Sequence, residues 1–208
     1  MQNNHLILAG IAGLVIIAAI SSIIYMLGKG MKMEEERLRF FSDSIAHITA
    51  LLYLTIVVFK NSTIKKLLNC HRILRNTVLL SVPSLFFILA IEYMFKKYAN
   101  IEFTPLQNID LLHAAPILLI ITPIVEEIIF RGLILTGLEK HIGEIPAILL
   151  SSILFTIAHV QALHPQLLPI VFIESIILSY PVIRWSSLTP CIITHALINL
   201  QAIIISFF

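Results

Sequence analysis

Charge is what this sequence has least of. Only 12% of its 208 residues are Asp, Glu, Lys or Arg, against about a quarter in an average soluble domain. With 58% hydrophobic residues and a mean hydropathy of +0.96, the chain cannot cover a soluble globule with polar surface. This composition also excludes intrinsic disorder. Two cysteines, Cys70 and Cys191, are too few for a disulfide-stapled secreted scaffold. One lies in a basic loop and the other in an apolar run, so two free thiols are expected rather than a bridge. The formal net charge of +2 carries no concentrated basic face, which argues against nucleic-acid partners. The apolar runs are continuous and do not alternate, which excludes a closed β-barrel.

What is present is a series of apolar segments of membrane-spanning length. A transmembrane helix needs about 20 such residues, so seven spans use roughly 140 and leave only short loops. The expected fold is an all-α polytopic bundle of about seven transmembrane helices, one membrane domain over residues 1–208. The expected spans are Leu6 to Leu27, Phe40 to Phe59, Thr77 to Phe95, Leu111 to Thr136, Ile145 to Gln161, Leu167 to Ile183 and Ser187 to Phe208. The first is read as a retained helix, because no Lys or Arg precedes it and a charged stretch follows. Lys60 to Asn76 is basic and expected along the membrane surface, and Pro83 is expected to kink the third span. Basic residues divide almost evenly between the two sides. The Lys60 to Arg75 loop tips the expectation toward a cytoplasmic N-terminus.

Ionisable groups inside a bilayer cost about 2.5–3.5 kcal/mol or more, so each is a functional candidate. The densest group is Thr122-Pro123-Ile124-Val125-Glu126-Glu127-Ile128-Ile129-Phe130-Arg131-Gly132. On a helix Glu127 and Arg131 share a face and can pair, while Glu126 is rotated by about 100° and can point elsewhere. The alternative on helix geometry alone is that both acids merely hold Arg131 and clamp the bundle. The second constellation is Phe155-x-x-x-His159, where ring and imidazole lie one turn apart. The third is His195-x-x-x-Asn199, two hydrogen-bond donors aimed at one point. Taken singly, each of the last two is explained as well by a polar contact between helices.

In this order the three motifs resemble the CPBP family, named for CaaX proteases and bacteriocin-processing enzymes and also called the abortive-infection family. Its signatures are E-E-x-x-x-R, F-x-x-x-H and H-x-x-x-N (or D), and all three stand intact between Pro116 and Leu200. The resemblance makes residues 111–208 the catalytic core. Residues 1–110 carry no signature. It implies an intramembrane endopeptidase in which Glu126 and His159 activate water while His195 and Asn199 form the oxyanion hole. Glu127, Arg131 and Phe155 are then supporting residues. The family includes enzymes that trim prenylated CaaX proteins and bacterial proteins tied to bacteriocin maturation, self-immunity and peptide signalling. The implied partners are a peptide or lipidated protein substrate and the lipid bilayer. The short loops and high isoleucine content suit a small bacterial member in the plasma membrane.

No cofactor is expected, with zinc on Glu126, His159 and His195 as the alternative. The stronger metal signature H-E-x-x-H is missing from the sequence. Neither cysteine belongs to a motif and no serine sits in a G-x-S-x-G elbow, which speaks against Ser or Cys nucleophiles. Glu174 is a candidate cavity residue. Asp43 with His47, and Glu92 with Lys96, are read as local i to i+4 pairs, and His113, His141 and His164 as interfacial residues. Two further functions compete: a non-catalytic membrane immunity or binding protein, and a small proton-coupled transporter. The intact triple motif argues against both, and no inverted repeat supports the transporter.

Overall fold

The computed structural model describes residues 2–30, 33–68, 73–99, 110–160 and 165–207, and every regular element among them is helical. The order is α1 (Gln2–Gly28), α2 (Glu35–Lys60), α3 (Ser62–Leu68), α4 (Ile73–Ala99), α5 (Leu111–Pro116), α6 (Thr122–Glu127), α7 (Thr136–Ile142), α8 (Glu144–Ala158), α9 (Leu168–Trp185) and α10 (Thr189–Phe207). Two π-helical segments, Ile117–Ile121 and Ile128–Leu135, join α5 to α6 and α6 to α7, so 111–142 is one continuous helical run. Four helical stretches are long and apolar enough to cross a membrane: Asn4–Gly28, Glu35–Lys60, Ile73–Ile91 and Pro165–Trp185. Two shorter apolar helices, Glu144–Ala158 and Thr189–Ile205, complete an integral membrane bundle around the 111–142 run. Large apolar side chains such as Leu8, Leu27, Phe59 and Phe86 remain exposed on its outside, as lipid contact requires.

Hydropathy places the spans well but their ends less well. Helix α2 begins at Glu35, inside the stretch expected to be a polar loop. There Arg39 donates to Glu35 at 2.6 Å, an i to i+4 pair that lets the helix run on past the hydrocarbon edge. Within the basic Lys60 to Asn76 stretch lies the short helix α3. The Asn61 side chain caps α3 by accepting from the backbone N–H groups of Thr63 and Ile64, at 2.9 and 3.2 Å. The far end of α3 is tied to the start of α10: Leu188 N–H donates to the Leu67 carbonyl at 2.8 Å and the Thr189 hydroxyl to that of Leu68 at 3.1 Å. Pro83 lies within α4, which continues through it. Cys191 is a free, buried thiol that donates to the Ser187 carbonyl. Cys70 and His164 fall outside the described residues, as do the side chains of Glu92, Lys96 and His113. His141 is exposed at the end of α7.

The core lies where α1, α2 and α3 close over the second π segment. Leu54, Ile64, Val125, Ile129, Phe130 and Leu133 are all buried there. Close approach of α1 depends on Gly10 and Gly13, one turn apart on one face. A Cβ on Gly10 would come within 2.6 Å of Ile134 Cγ1, and one on Gly13 within 2.9 Å of Ile129 Cδ1. Small residues at such crossings are how membrane helices gain packing contact without a hydrophobic drive. Gly143, at φ 83°, reverses the chain between α7 and α8 in a backbone region that disfavours other residues. Gly10→Leu is expected to destabilise the bundle by about 1–3 kcal/mol through overpacking. Gly30→Leu, where no atom lies within 4 Å of the added Cβ, is expected to stay within about 0.5 kcal/mol of wild type. Thermal unfolding of the two variants in detergent checks both values.

Candidate active site

The acidic pair is held between the two π segments, on α6 (Thr122–Glu127). A π turn loosens backbone pairing, and in lipid every loosened carbonyl needs a partner from within the protein. Three polar side chains donate to carbonyls of these segments. The Thr136 hydroxyl donates to the Arg131 carbonyl at 2.9 Å and the Ser151 hydroxyl to that of Phe130 at 3.0 Å. The Asn199 amide donates to the Leu118 carbonyl at 2.8 Å. In π spacing the natural donor to Leu118 is residue 123, a proline with no N–H, and the Thr122 N–H is already spent on Ile117. Asn199 therefore replaces a hydrogen bond that Pro123 cannot make. One amide hydrogen is committed to this task and the second remains a donor.

Glu127 and Arg131 are completely buried and bonded at 3.1 Å. The other side of the guanidinium donates to the Ser175 hydroxyl at 3.0 Å and carbonyl at 3.2 Å on α9. Its face lies 4.4 Å from the centroid of the Phe155 ring, a desolvated cation–π contact. His195 joins from α10, its Nδ1 at 2.9 Å from Glu127 Oε1. The pair thus cross-links α6, the second π segment, α8, α9 and α10.

Glu126, rotated away from its neighbour, faces three imidazoles. Its Oε1 lies 3.4 Å from His47 Nε2, and its Oε2 lies 3.8 Å from both His159 Nε2 and His195 Nε2. Oε2 is buried and has no hydrogen-bond partner among the described residues. Each ring has its other nitrogen anchored: Nδ1 of His47 on the Asp43 carbonyl and Nδ1 of His159 on the Phe155 carbonyl, both at 2.8 Å, and Nδ1 of His195 on Glu127. A carbonyl only accepts, so His47 and His159 carry hydrogen on Nδ1 and turn Nε2 to the carboxylate. Phe155 packs its ring 4.4 Å from that of His159 and 6.0 Å from that of His195, setting both orientations.

His159 sits at the C-cap of α8, one residue beyond the helix. The expected fifth span ran on to Gln161, whereas the helix stops at Ala158 and lets His159 reach Glu126 deep in its own segment. Four residues expected to act together, Glu126, His159, His195 and Asn199, come from three separate stretches of chain; the first three meet at one carboxylate. Glu174 is half-buried on α9. Its neighbour Ser175 faces Arg131, which turns Glu174 about 100° away around the helix.

Two contributors escaped the sequence reading. Ser175 is one of many serines and nothing in its neighbours marks it. His47 was read as the local partner of Asp43, yet only the Asp43 backbone receives it. The Asp43 carboxylate takes the Ser21 hydroxyl of α1. A histidine inside an apolar span was the available signal. Among the described residues no group of three or more His, Cys, Asp or Glu is arranged as a metal site, and Glu126, His159 and His195 meet as a carboxylate with two imidazole nitrogens at 3.8 Å. Arg131→Met is expected to cost about 3–5 kcal/mol, because it strands the Glu127 charge in the core. Adding Glu127→Gln to Arg131→Met is expected to recover part of that loss, as thermal unfolding of the single and double variants can show.

No curated protein and no solved structure matches the chain significantly. One family model does, the Rce1-like model described as type II CAAX prenyl endopeptidase, over residues 108–201. That stretch contains all three motifs and every residue of the site except those on α1 and α2. Residues 108–201, a little under half of the chain, are thus similar to the Rce1-like type II CAAX prenyl endopeptidases.

Proposed function

We infer that the protein is an intramembrane endopeptidase that hydrolyses a peptide bond with a water activated by Glu126. The observation that carries this is the placement of Glu126 Oε2 at 3.8 Å from two differently anchored imidazoles. That separation is too long for a direct hydrogen bond and suits a single water between the groups. His159, neutral with hydrogen on Nδ1, accepts one water hydrogen at Nε2. Glu126 accepts the other and takes it as the water oxygen attacks the scissile carbonyl.

The negative charge that develops on the carbonyl oxygen needs donors. His195 donates from Nε2 once it carries both ring protons, a state that the Glu127 carboxylate at Nδ1 supports. Asn199 offers its second amide hydrogen. When the tetrahedral intermediate collapses, the C–N bond breaks and the proton held by Glu126 passes to the departing amine. Glu127 and Arg131 take no proton in this sequence; they hold His195 and fix α6. His159 is the most exposed of the three imidazoles, with 22% of its side chain accessible, so the substrate enters from its side.

The substrate class follows from the similarity and the setting. A CAAX prenyl endopeptidase acts on lipid-anchored protein tails, and a site between apolar helices is reached by a chain already at the membrane. A membrane-associated peptide or lipidated protein is the proposed substrate. Bacteriocin self-immunity or peptide processing at a bacterial plasma membrane is the proposed setting. Residues 111–208 are the proposed catalytic core. The proposed chemistry needs no metal; the zinc alternative would use Glu126, His159 and His195.

Purified protein in detergent or nanodiscs is expected to cleave a membrane-anchored reporter peptide. Glu126→Ala is expected to abolish cleavage while the protein still unfolds cooperatively, and His195→Ala to lower kcat by about 10²–10³-fold. Activity that survives exhaustive chelation would exclude essential zinc. Full toxin protection by folded Glu126→Ala would instead favour a non-catalytic immunity protein, and gradient-driven uptake with no new peptide termini a transporter.

A further inference from the structure

The family match begins at residue 108, yet Glu126 has a close neighbour far upstream of it, His47 on α2 (Glu35–Lys60). Its Nε2 stands 3.4 Å from Glu126 Oε1, nearer than either motif histidine comes to the same carboxylate. Both side chains are nearly buried, at 12% and 11% exposure. The imidazole is not free to turn. Its Nδ1–H is held by the Asp43 carbonyl at 2.8 Å, and Asp43 is in turn tied to α1 by the Ser21 hydroxyl. Helix α2 packs directly on α6, so this contact belongs to a packed helix pair.

We propose that His47 is a positioning residue of the active site, which holds Oε1 of Glu126 and so aims Oε2 at the water between His159 and His195. The terminal torsion of a glutamate is broad and close to two-fold, so packing alone does not fix the plane of its carboxylate. Glu127 has Arg131 and His195 to fix its own plane. Among the described residues Glu126 has one hydrogen-bond partner, His47 on Oε1, against two on Oε1 of Glu127, and the Oε2 of each acid is without one. His47, carrying a proton on Nε2 as well as the Nδ1–H given to Asp43, donates to Oε1 of the ionised Glu126, which leaves Oε2 the basic oxygen. The two adjacent acids are thus separated in role by separate anchors on different helices.

The consequence for catalysis rests on the endopeptidase reading; the contact does not. The test compares His47→Phe, which keeps the ring and removes the donor, with His47→Gln, whose amide nitrogen falls near the position of Nε2. His47→Phe is expected to lower kcat on the reporter peptide by about 10²-fold with KM within two-fold, the scale of a small misplacement of a reacting group. His47→Gln is expected to restore at least a tenth of wild-type kcat. A kcat for His47→Phe within three-fold of wild type would overturn the proposal. So would equal losses in His47→Phe and His47→Gln, since a packing role does not distinguish them. If His47→Phe fails to fold, His47→Asn, too short to reach Oε1, replaces it with the same expectations. A second readout needs no cleavage. In ¹⁵N-imidazole spectra of the full chain, Glu126→Gln is expected to shift the His47 Nε2 resonance and leave exposed His141 in place. An unmoved His47 signal refutes the contact. A moved signal in a wild-type protein that cleaves nothing sinks the endopeptidase reading and leaves the contact standing.

Discussion

A guanidinium and a carboxylate, both wholly removed from solvent, hold this bundle together at its centre. Glu127 and Arg131 neutralise each other at 3.1 Å, but attraction alone does not repay the desolvation of two charges. The remaining hydrogen-bonding capacity must be met as well. Ser175, the Phe155 ring and His195 meet much of it, and each comes from a different helix. The ion pair therefore dictates where α8, α9 and α10 sit. It also places His195 and Phe155, and through Phe155 the ring of His159, around the neighbouring Glu126. The geometry of the candidate site thus follows in part from the partners gathered around one buried cation.

The backbone shows the same economy. Two π segments flank α6, and their loosened carbonyls are closed by Asn199, Ser151 and Thr136. Asn199 shows this most directly: one amide hydrogen mends the gap left by Pro123 while its neighbour one turn away, His195, stands at the carboxylate. Such double use is a natural outcome in a membrane, where each polar group introduced for chemistry must also be satisfied structurally.

Membrane character, helical class and the approximate position of each span were legible because apolar length is a property of composition along the chain. So was the pairing of Glu127 with Arg131, since helix spacing puts residues four apart on one face, and the short π departure did not undo it. Helix ends were less legible. Glu35 starts a helix within an apparent loop because Arg39 braces it, and α8 ends at Ala158, before its apolar run does. His47 was visible as an ionisable residue in an apolar span, but its partner lies 79 positions away. Ser175 gave no signal at all, because a serine in a helix looks the same whether it faces lipid or an arginine.

The amino-acid order by itself determined that this chain must fold as membrane helices and that one acid pair, two further polar motifs and an arginine lie within them. Those are local facts, set by hydrophobic length and by the 3.6-residue turn. Only the tertiary structure decided which carboxylate is shielded by Arg131 and which faces the imidazoles, that α2 reaches the site at all, and that Asn199 spends a hydrogen on Leu118. These depend on the distances between helices and on which carbonyls a proline leaves open, and neither is encoded in the spacing along a single helix.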